Sequence, residues 1–271
     1  MNPHENLSLA EAILGAIFLS LTIFNISRIP RETAWWYITV FCLFRTTGSS
    51  ILLAVSLKHD YTNKGLLIPA IIFSGIAISP LLAASLGFLN SCTKHLPETR
   101  HPILRLLGIA HIAVIAALVL NIAGGTTMPY GAQSSSTSVV NSLNSAITYL
   151  RASAMVSLVA WGLILVSLVI LSRHWGAFGR AARAFYIAVA GAVPFLFIRI
   201  LYAILAAWAW KKGVVTAVPG GGKYGLITGD VGVLVGMRVL MEFLVVGGWV
   251  ATGIWVGQRA EEFDAKGEEG V

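Results

Sequence analysis

The sequence predicts an all-α polytopic membrane protein whose seven transmembrane helices form one bundle. Of its 271 residues, 56% are hydrophobic and only 11% are charged. A soluble domain has about a quarter of its residues charged, so most of this chain is suited to lipid. Seven apolar runs approach or exceed the roughly 20 residues that a helix needs to cross a bilayer. We therefore expect one membrane domain over residues 1–257.

The seven predicted helices are separated by polar connections rich in Pro, Gly, Asn and Lys. In chain order they cover residues 8–27, 34–57, 65–90, 103–123, 146–172, 184–210 and 230–257. The connections 124–145 and 211–229 are longer, and both are rich in Gly, Ser or Thr. Residues 258–271 form a short acidic tail, expected in the cytoplasm.

The distribution of Lys and Arg predicts the orientation of the bundle. With the N-terminus outside, ten basic residues lie on the inner side: Arg28, Arg31, Lys94, Arg100, Arg105, Arg173, Arg180, Arg183, Arg259 and Lys266. Five lie on the outer side: Lys58, Lys64, Lys211, Lys212 and Lys223. Inner connections carry the excess of basic residues in membrane proteins, so we expect the N-terminus outside and the C-terminus in the cytoplasm. The endoplasmic reticulum and the plasma membrane both fit.

Several classes of function are disfavoured by composition. The net charge of +7 is scattered between apolar runs rather than gathered on one face, so we expect no nucleic-acid partner. The two cysteines, Cys42 and Cys92, make neither a disulfide framework nor a zinc-ligand cluster. Gly220-Gly221-Gly222-Lys223 lacks the context of a phosphate-binding loop. We expect no metal and no cofactor.

Ionisable residues inside the predicted helices are the main functional signal, because such groups are costly in lipid and face the bundle interior. At a rise of about 1.5 Å per residue, Glu11 lies roughly 5 Å below the outer surface, and Arg151 and Arg199 lie near 8 Å. Arg238 follows at about 12 Å, Arg45 at about 14 Å and Glu242 at about 18 Å. The seventh such residue, His111, belongs to the fourth helix. The other six thus cluster in the outer half of the membrane.

Each of these residues also has a structural interpretation. Ser8-Leu9-Ala10-Glu11 has the spacing of a helix-capping box. Arg151 is close enough to the membrane surface for its guanidinium group to reach the polar interface. Arg238 and Glu242 stand four residues apart and can neutralise each other. His111 is most simply a hydrogen-bonded core histidine. Four arginines against two glutamates still leave an excess of positive charge in one layer.

That excess predicts an outward-facing, arginine-rich cavity. The planar guanidinium group binds carboxylate or phosphate through two parallel hydrogen bonds. We therefore expect Arg45, Arg199, Arg238 and Arg151 to bind an amphipathic anion or a lipid, with Tyr202 and Tyr149 as neutral donors. Membrane lipid and a hydrophobic or amphipathic anionic small molecule are the expected partners. The sequence does not identify a protein partner.

The pattern resembles a group of fungal seven-helix integral membrane proteins classed as a domain of unknown function. The resemblance is carried by Glu11, Phe44-Arg45-Thr46-Thr47-Gly48, Pro80-Leu81-Leu82, Gly124-Gly125, Pro194-Phe195-Leu196-Phe197-Ile198-Arg199-Ile200-Leu201-Tyr202 and Glu242. It spans nearly the whole chain. The resemblance implies that the important positions of the family are Glu11, Arg45, Arg199, Tyr202 and Glu242. It implies no established activity.

Two functions from different classes remain open. The first is a receptor-like or lipid-handling protein that binds its ligand in the outward cavity without chemistry. The second is a membrane-embedded terpenoid cyclase or isomerase of fungal specialised metabolism. Its general acid would be Glu242 or Glu11, which would protonate an alkene or an epoxide in a dry cavity. Whether the protein is an enzyme is left open by the sequence.

The predicted orientation can be tested with epitope tags at the two ends of the chain. In sealed microsomal vesicles, whose cytoplasmic face is outward, we expect added protease to remove a C-terminal tag. An N-terminal tag should be protected until detergent opens the vesicles. The opposite pattern would contradict the assignment based on basic residues.

Overall fold

The computed structural model describes residues 3–28, 32–58, 64–94, 100–129, 137–209 and 230–268, and these contain helices and turns without a strand. The helices are α1 (Pro3–Arg28), α2 (Ala34–Lys58), α3 (Lys64–Ile76), α4 (Ile78–Thr93), α5 (Arg100–Thr127), α6 (Thr137–Ser172), α7 (Arg180–Ala209), α8 (Val231–Leu234) and α9 (Leu240–Glu268). Seven segments within the described ranges are long and apolar enough to cross a membrane, which confirms the predicted fold class. The orientation stays a prediction.

Several helices extend beyond the apolar runs that predicted them. Helix α6 begins at Thr137, nine residues before the predicted start, because Ser and Asn side chains lower the hydropathy of its first turns without preventing a helix. Helix α9 continues through the predicted acidic tail to Glu268. The predicted end of the sixth helix at Trp210 and the connection 211–229 lie outside the described residues.

The third span is two helices rather than one. Helices α3 and α4 meet at a turn at Ala77, three residues before Pro80. Proline has no backbone N–H, so Pro80 cannot donate a hydrogen bond to the carbonyl of Ile76, and the helix breaks there. Nearly every residue of α4 is buried. Accordingly, 76% of the 18 most apolar consecutive residues of this span are buried in the protein, against 22–39% for the other six spans.

Helix α4 therefore lies at the centre of the bundle, in contact with α2, α5, α6 and α7. The other spans surround it in a ring, in which α1 packs on α2, α5 on α6, α6 on α7, α7 on α9 and α9 on α1. Helix α3 completes the ring between α2 and α5. The third span thus begins at the perimeter and ends in the core.

The seventh span is irregular near its start. Asp230 caps α8, because its carboxylate accepts a hydrogen bond of 2.8 Å from the backbone N–H of Gly232. Val235–Val239 then form one turn of π-helix before α9 continues the span. A π turn inserts an extra residue and redirects the side chains around it, and it is found frequently at functional sites. Here it contains Arg238.

Candidate functional site: a buried cluster of ion pairs

Five of the six predicted residues of the outer layer meet in the interior of the bundle. Glu11 lies on α1, Arg45 on α2, Arg199 on α7, Arg238 in the π turn and Glu242 at the start of α9. Helix α1 packs on α2 and α9, and α9 packs on α7, so the spans that carry these residues are neighbours in the ring. We call these five residues the charged cluster.

Glu242 is the centre of the charged cluster. Its Oε1 accepts a hydrogen bond from Nε of Arg199. Its Oε2 lies 2.8 Å from Nε of Arg45 as an ion pair, although this second contact is not aligned as a hydrogen bond. Glu242 is fully buried at 0% exposure, and Arg45 is 1% exposed. One carboxylate thus links α2, α7 and α9.

The depth of Arg199 differs from the sequence estimate. Arg199 stands ten residues before Ala209, the last residue of α7. At about 1.5 Å per residue, this places it roughly 15 Å below that helix end, about twice the predicted depth. Glu242 stands at a similar depth, about 18 Å below Asp230. The two side chains are therefore level, as their contact requires.

Glu11 attaches the first helix to the charged cluster. Its Oε2 lies 3.4 Å from Nη1 of Arg45. The capping-box interpretation is wrong, since α1 begins at Pro3 and the hydroxyl of Ser8 donates to the carbonyl of His4 inside the helix. The approach of α1 to α2 depends on Gly15, one turn after Glu11. A Cβ atom at Gly15 would lie 2.5 Å from Oγ1 of Thr46 and 3.4 Å from its backbone nitrogen.

Arg238 is the least satisfied member of the charged cluster. Its side chain is 3% exposed, yet Nε and Nη2 have no hydrogen-bond partner among the described residues. Glu11 and Glu242 attract it through space, and Arg45 repels it. The expected neutralisation of Arg238 by Glu242 on its own helix is incomplete, because Glu242 is directed to Arg199 and Arg45.

The charged cluster therefore combines three buried guanidinium groups with two buried carboxylates, a formal excess of one positive charge. Nη2 of Arg45 also lacks a hydrogen-bond partner within the described ranges. Unsatisfied donors on buried charged groups are costly, since each loses its hydration without replacement. Chemically, the cluster can accept an additional anionic oxygen.

The other three residues of the predicted site, Tyr202, Arg151 and Tyr149, have different surroundings from one another. Tyr202 is buried under Arg199, whose Cζ is 5.6 Å from the centre of its ring, so it belongs with the charged cluster. Arg151 instead contacts the end of α7: its Nε donates to the carbonyl of Ala207 at 3.2 Å, and its guanidinium covers the ring of Trp208. This is the position of a basic side chain at a helix C-terminus. Tyr149 is 39% exposed on the surface of the bundle.

Sequence reasoning missed Gly15, although a signal was present. Small residues inside apolar runs mark the places where membrane helices approach closely. Gly15 is four residues after an acidic side chain, and this spacing places both on one helix face. Among the described residues, no group of His, Cys, Asp and Glu is arranged to hold a metal ion.

A model of one protein family matches residues 1–259, and its description is Domain of unknown function (DUF7702). The chain belongs to this family. Neither a curated protein nor a solved structure matches the chain. Membership agrees with the predicted resemblance to a family of unknown function, while a fungal origin stays a prediction. Because the family description names no activity, a function must be argued from the charged cluster.

The close approach at Gly15 gives a prediction about stability. Gly15→Ala forces α1 away from α2, and we expect it to lower the free energy of unfolding by roughly 1–3 kcal/mol through overpacking. Gly191→Ala is the matched control, since no atom lies within 4 Å of a Cβ at that position on α7. Thermal unfolding in detergent measures both. Equal stability of the two variants would contradict the proposed role of Gly15.

Proposed function

We propose that the protein is a non-catalytic, multi-pass membrane component that binds the anionic head of an amphipathic molecule at the charged cluster. The observation that carries this proposal is Arg238, a buried guanidinium with two donors unsatisfied by described residues. A carboxylate or phosphate oxygen would neutralise the excess positive charge and accept hydrogen bonds from Nε and Nη2 of Arg238. Nη2 of Arg45 supplies a third donor.

The distribution of roles within the charged cluster supports this proposal. Arg45 and Arg199 are engaged by Glu242, so they hold the helices together and orient the site. Arg238 is the least satisfied member, because its Nε and Nη2 have no hydrogen-bond partner among the described residues. The π turn also gives its side chain a direction that a regular helix would not. A buried charge with unsatisfied donors costs stability, so a binding role accounts for Arg238 better than a purely structural one.

We expect the ligand to enter from the side of the bundle on which α1 begins. With the predicted orientation this is the outer side, and the apolar part of the ligand would remain among the helices. A receptor-like role and a lipid-handling role share this chemistry. Arg151 is excluded from the proposed site, because its described contacts are with the end of α7.

The enzyme alternative has less support from the geometry. A general acid must carry a proton in order to donate it. Both carboxylate oxygens of Glu242 already contact guanidinium groups, Oε1 that of Arg199 and Oε2 that of Arg45, so neither is free to present a proton to a substrate. Glu11 is likewise paired with Arg45. A cyclase or isomerase therefore stays an untested prediction.

The proposal is tested by identifying the small molecules that copurify with three forms of the protein. We expect mass spectrometry to find an anionic amphiphile with the wild type and with Arg151→Met, and to find it at least tenfold depleted with Arg238→Met. After the bound molecule has been stripped from all three preparations, the Arg238→Met protein should be at least as stable as the wild type in thermal unfolding, because a buried charge with unsatisfied donors has been removed. The proteins are compared without ligand because a bound molecule would itself stabilise the wild type. Depletion without loss of stability separates a binding role from a structural one.

Two outcomes would overturn this function. In one, all three preparations carry the same bulk lipid and no selected anion. In the other, ligand-free Arg238→Met unfolds at a much lower temperature than the ligand-free wild type, which would mean that the arginine already has its partners within the folded chain.

A further inference from the structure

A cavity lies away from the charged cluster, where the third span leaves the perimeter. Helix α3 fills the ring between α2 and α5, but after the break at Ala77 the chain continues as α4 in the core. The perimeter between α2 and α5 is therefore open over the other half of the bundle, and α4 forms the floor of the opening. A cavity of about 230 Å³ occupies this place.

Small residues line the cavity. Ala83 and Gly87 lie on its floor on α4, where a Cβ atom at Gly87 would meet Ala34 of α2 at 3.0 Å, and Gly108 lies on its α5 wall. A Cβ atom added at Gly108 would meet no atom within 4 Å, so this glycine faces open space. Gly108 is also exposed on the surface of the bundle, beside the strongly exposed Ile109 and Ile112. The cavity therefore communicates with the apolar surface that a bilayer would cover.

The polar groups of the cavity are Thr33, Tyr37, Asn90 and His111. The rings of Tyr37 and His111 approach edge to face at 5.9 Å between their centres, across the opening between α2 and α5. No Asp, Glu, Lys or Arg lines the cavity among the described residues. Of the charged residues near the lining in sequence, Glu32 pairs with Lys94 at 3.5 Å, and the exposed Arg105 is not among the lining residues. His111 is thus a half-buried cavity residue rather than the core histidine that the sequence favoured.

We propose that this cavity binds the hydroxyl head of a neutral membrane lipid. A hydroxyl group donates one hydrogen bond and accepts others, which matches the mixed donors and acceptors of Tyr37, Asn90 and His111. Three leucines (Leu86, Leu104 and Leu107) supply the apolar remainder of the lining. An apolar cavity of about 150 Å³ holds benzene, so this one accommodates a head of roughly ten heavy atoms.

The depth of the polar groups agrees with a lipid occupant. Tyr37 stands about 5 Å from the start of α2, and Asn90 about 5 Å from the end of α4, at ~1.5 Å per residue. Lipid hydroxyls lie at this interfacial level, while their chains extend toward the midplane. Linear lipid alcohols and sterols both present such a group. The inference is independent of the charged cluster, because it uses neither its residues nor its half of the bundle.

The test uses photoreactive, alkyne-tagged hexadecanol and a photoreactive, alkyne-tagged sterol, each added to the purified full-length protein. We expect at least one of them to label peptides from α2, α4 or α5 that line the cavity. Labelling should fall at least fivefold in Gly108→Leu, which fills the cavity, and should be unchanged in Gly191→Leu on the surface of α7. Tyr37→Phe should weaken labelling about threefold or more, since it removes a hydroxyl and keeps the ring.

The pattern of labelling also identifies the source of the hydroxyl. Labelling by hexadecanol alone indicates a linear lipid alcohol, labelling by the sterol alone indicates a sterol, and both results support the proposal. It is overturned if neither probe labels the cavity, or if labelling is the same in Gly108→Leu and the wild type. A photoreactive palmitate that labels as strongly as hexadecanol would equally overturn it, because a neutral site must discriminate against a carboxylate.

Discussion

The ion pairs of Glu242 with Arg45 and Arg199 are the contacts on which the arrangement of the bundle depends. They link the second, sixth and seventh spans, and Glu11 adds the first span through Arg45. Helices surrounded by lipid gain little from apolar contacts with each other, so polar contacts and close packing determine which helices associate. Removing one partner of such a pair leaves a buried charge and costs about 3–5 kcal/mol. The charged cluster is thus one structural unit, and Arg238 is its least satisfied member.

Two features of the backbone place potential binding sites in opposite halves of the bundle. The π turn at Val235–Val239 presents Arg238 to the charged cluster without giving it a described hydrogen-bond partner for Nε or Nη2. The break before Pro80 moves the third span into the core and leaves an opening between α2 and α5. One site is cationic and buried, whereas the other is neutral and faces the surface. Under the two proposals, a lipid with an anionic head would bind at the charged cluster, and a lipid with a neutral hydroxyl would bind in the cavity between α2 and α5.

The sequence predicted the class of fold because hydropathy and helix length are local properties. It also predicted the membership of the charged cluster, except for Arg151, because buried ionisable groups in a bundle must meet. Depth alone could not show that Glu242 would pair with Arg45 and Arg199 in preference to Arg238. That choice depends on helix rotation, on the close approach at Gly15 and on the π turn. The cavity beside His111 was hidden for a similar reason, since it arises from the path of the third span and not from any motif.

The measurement that tests this account most directly is a double-mutant cycle between Arg199 and Glu242. The free energy of unfolding in detergent is determined for the wild type, Arg199→Met, Glu242→Gln and the double variant. If the two side chains pair in the core, the double variant will be less destabilised than the two single effects together, with a coupling of about 1–3 kcal/mol. Additive effects within about 0.5 kcal/mol would show that the residues act independently, which would contradict the central role of Glu242.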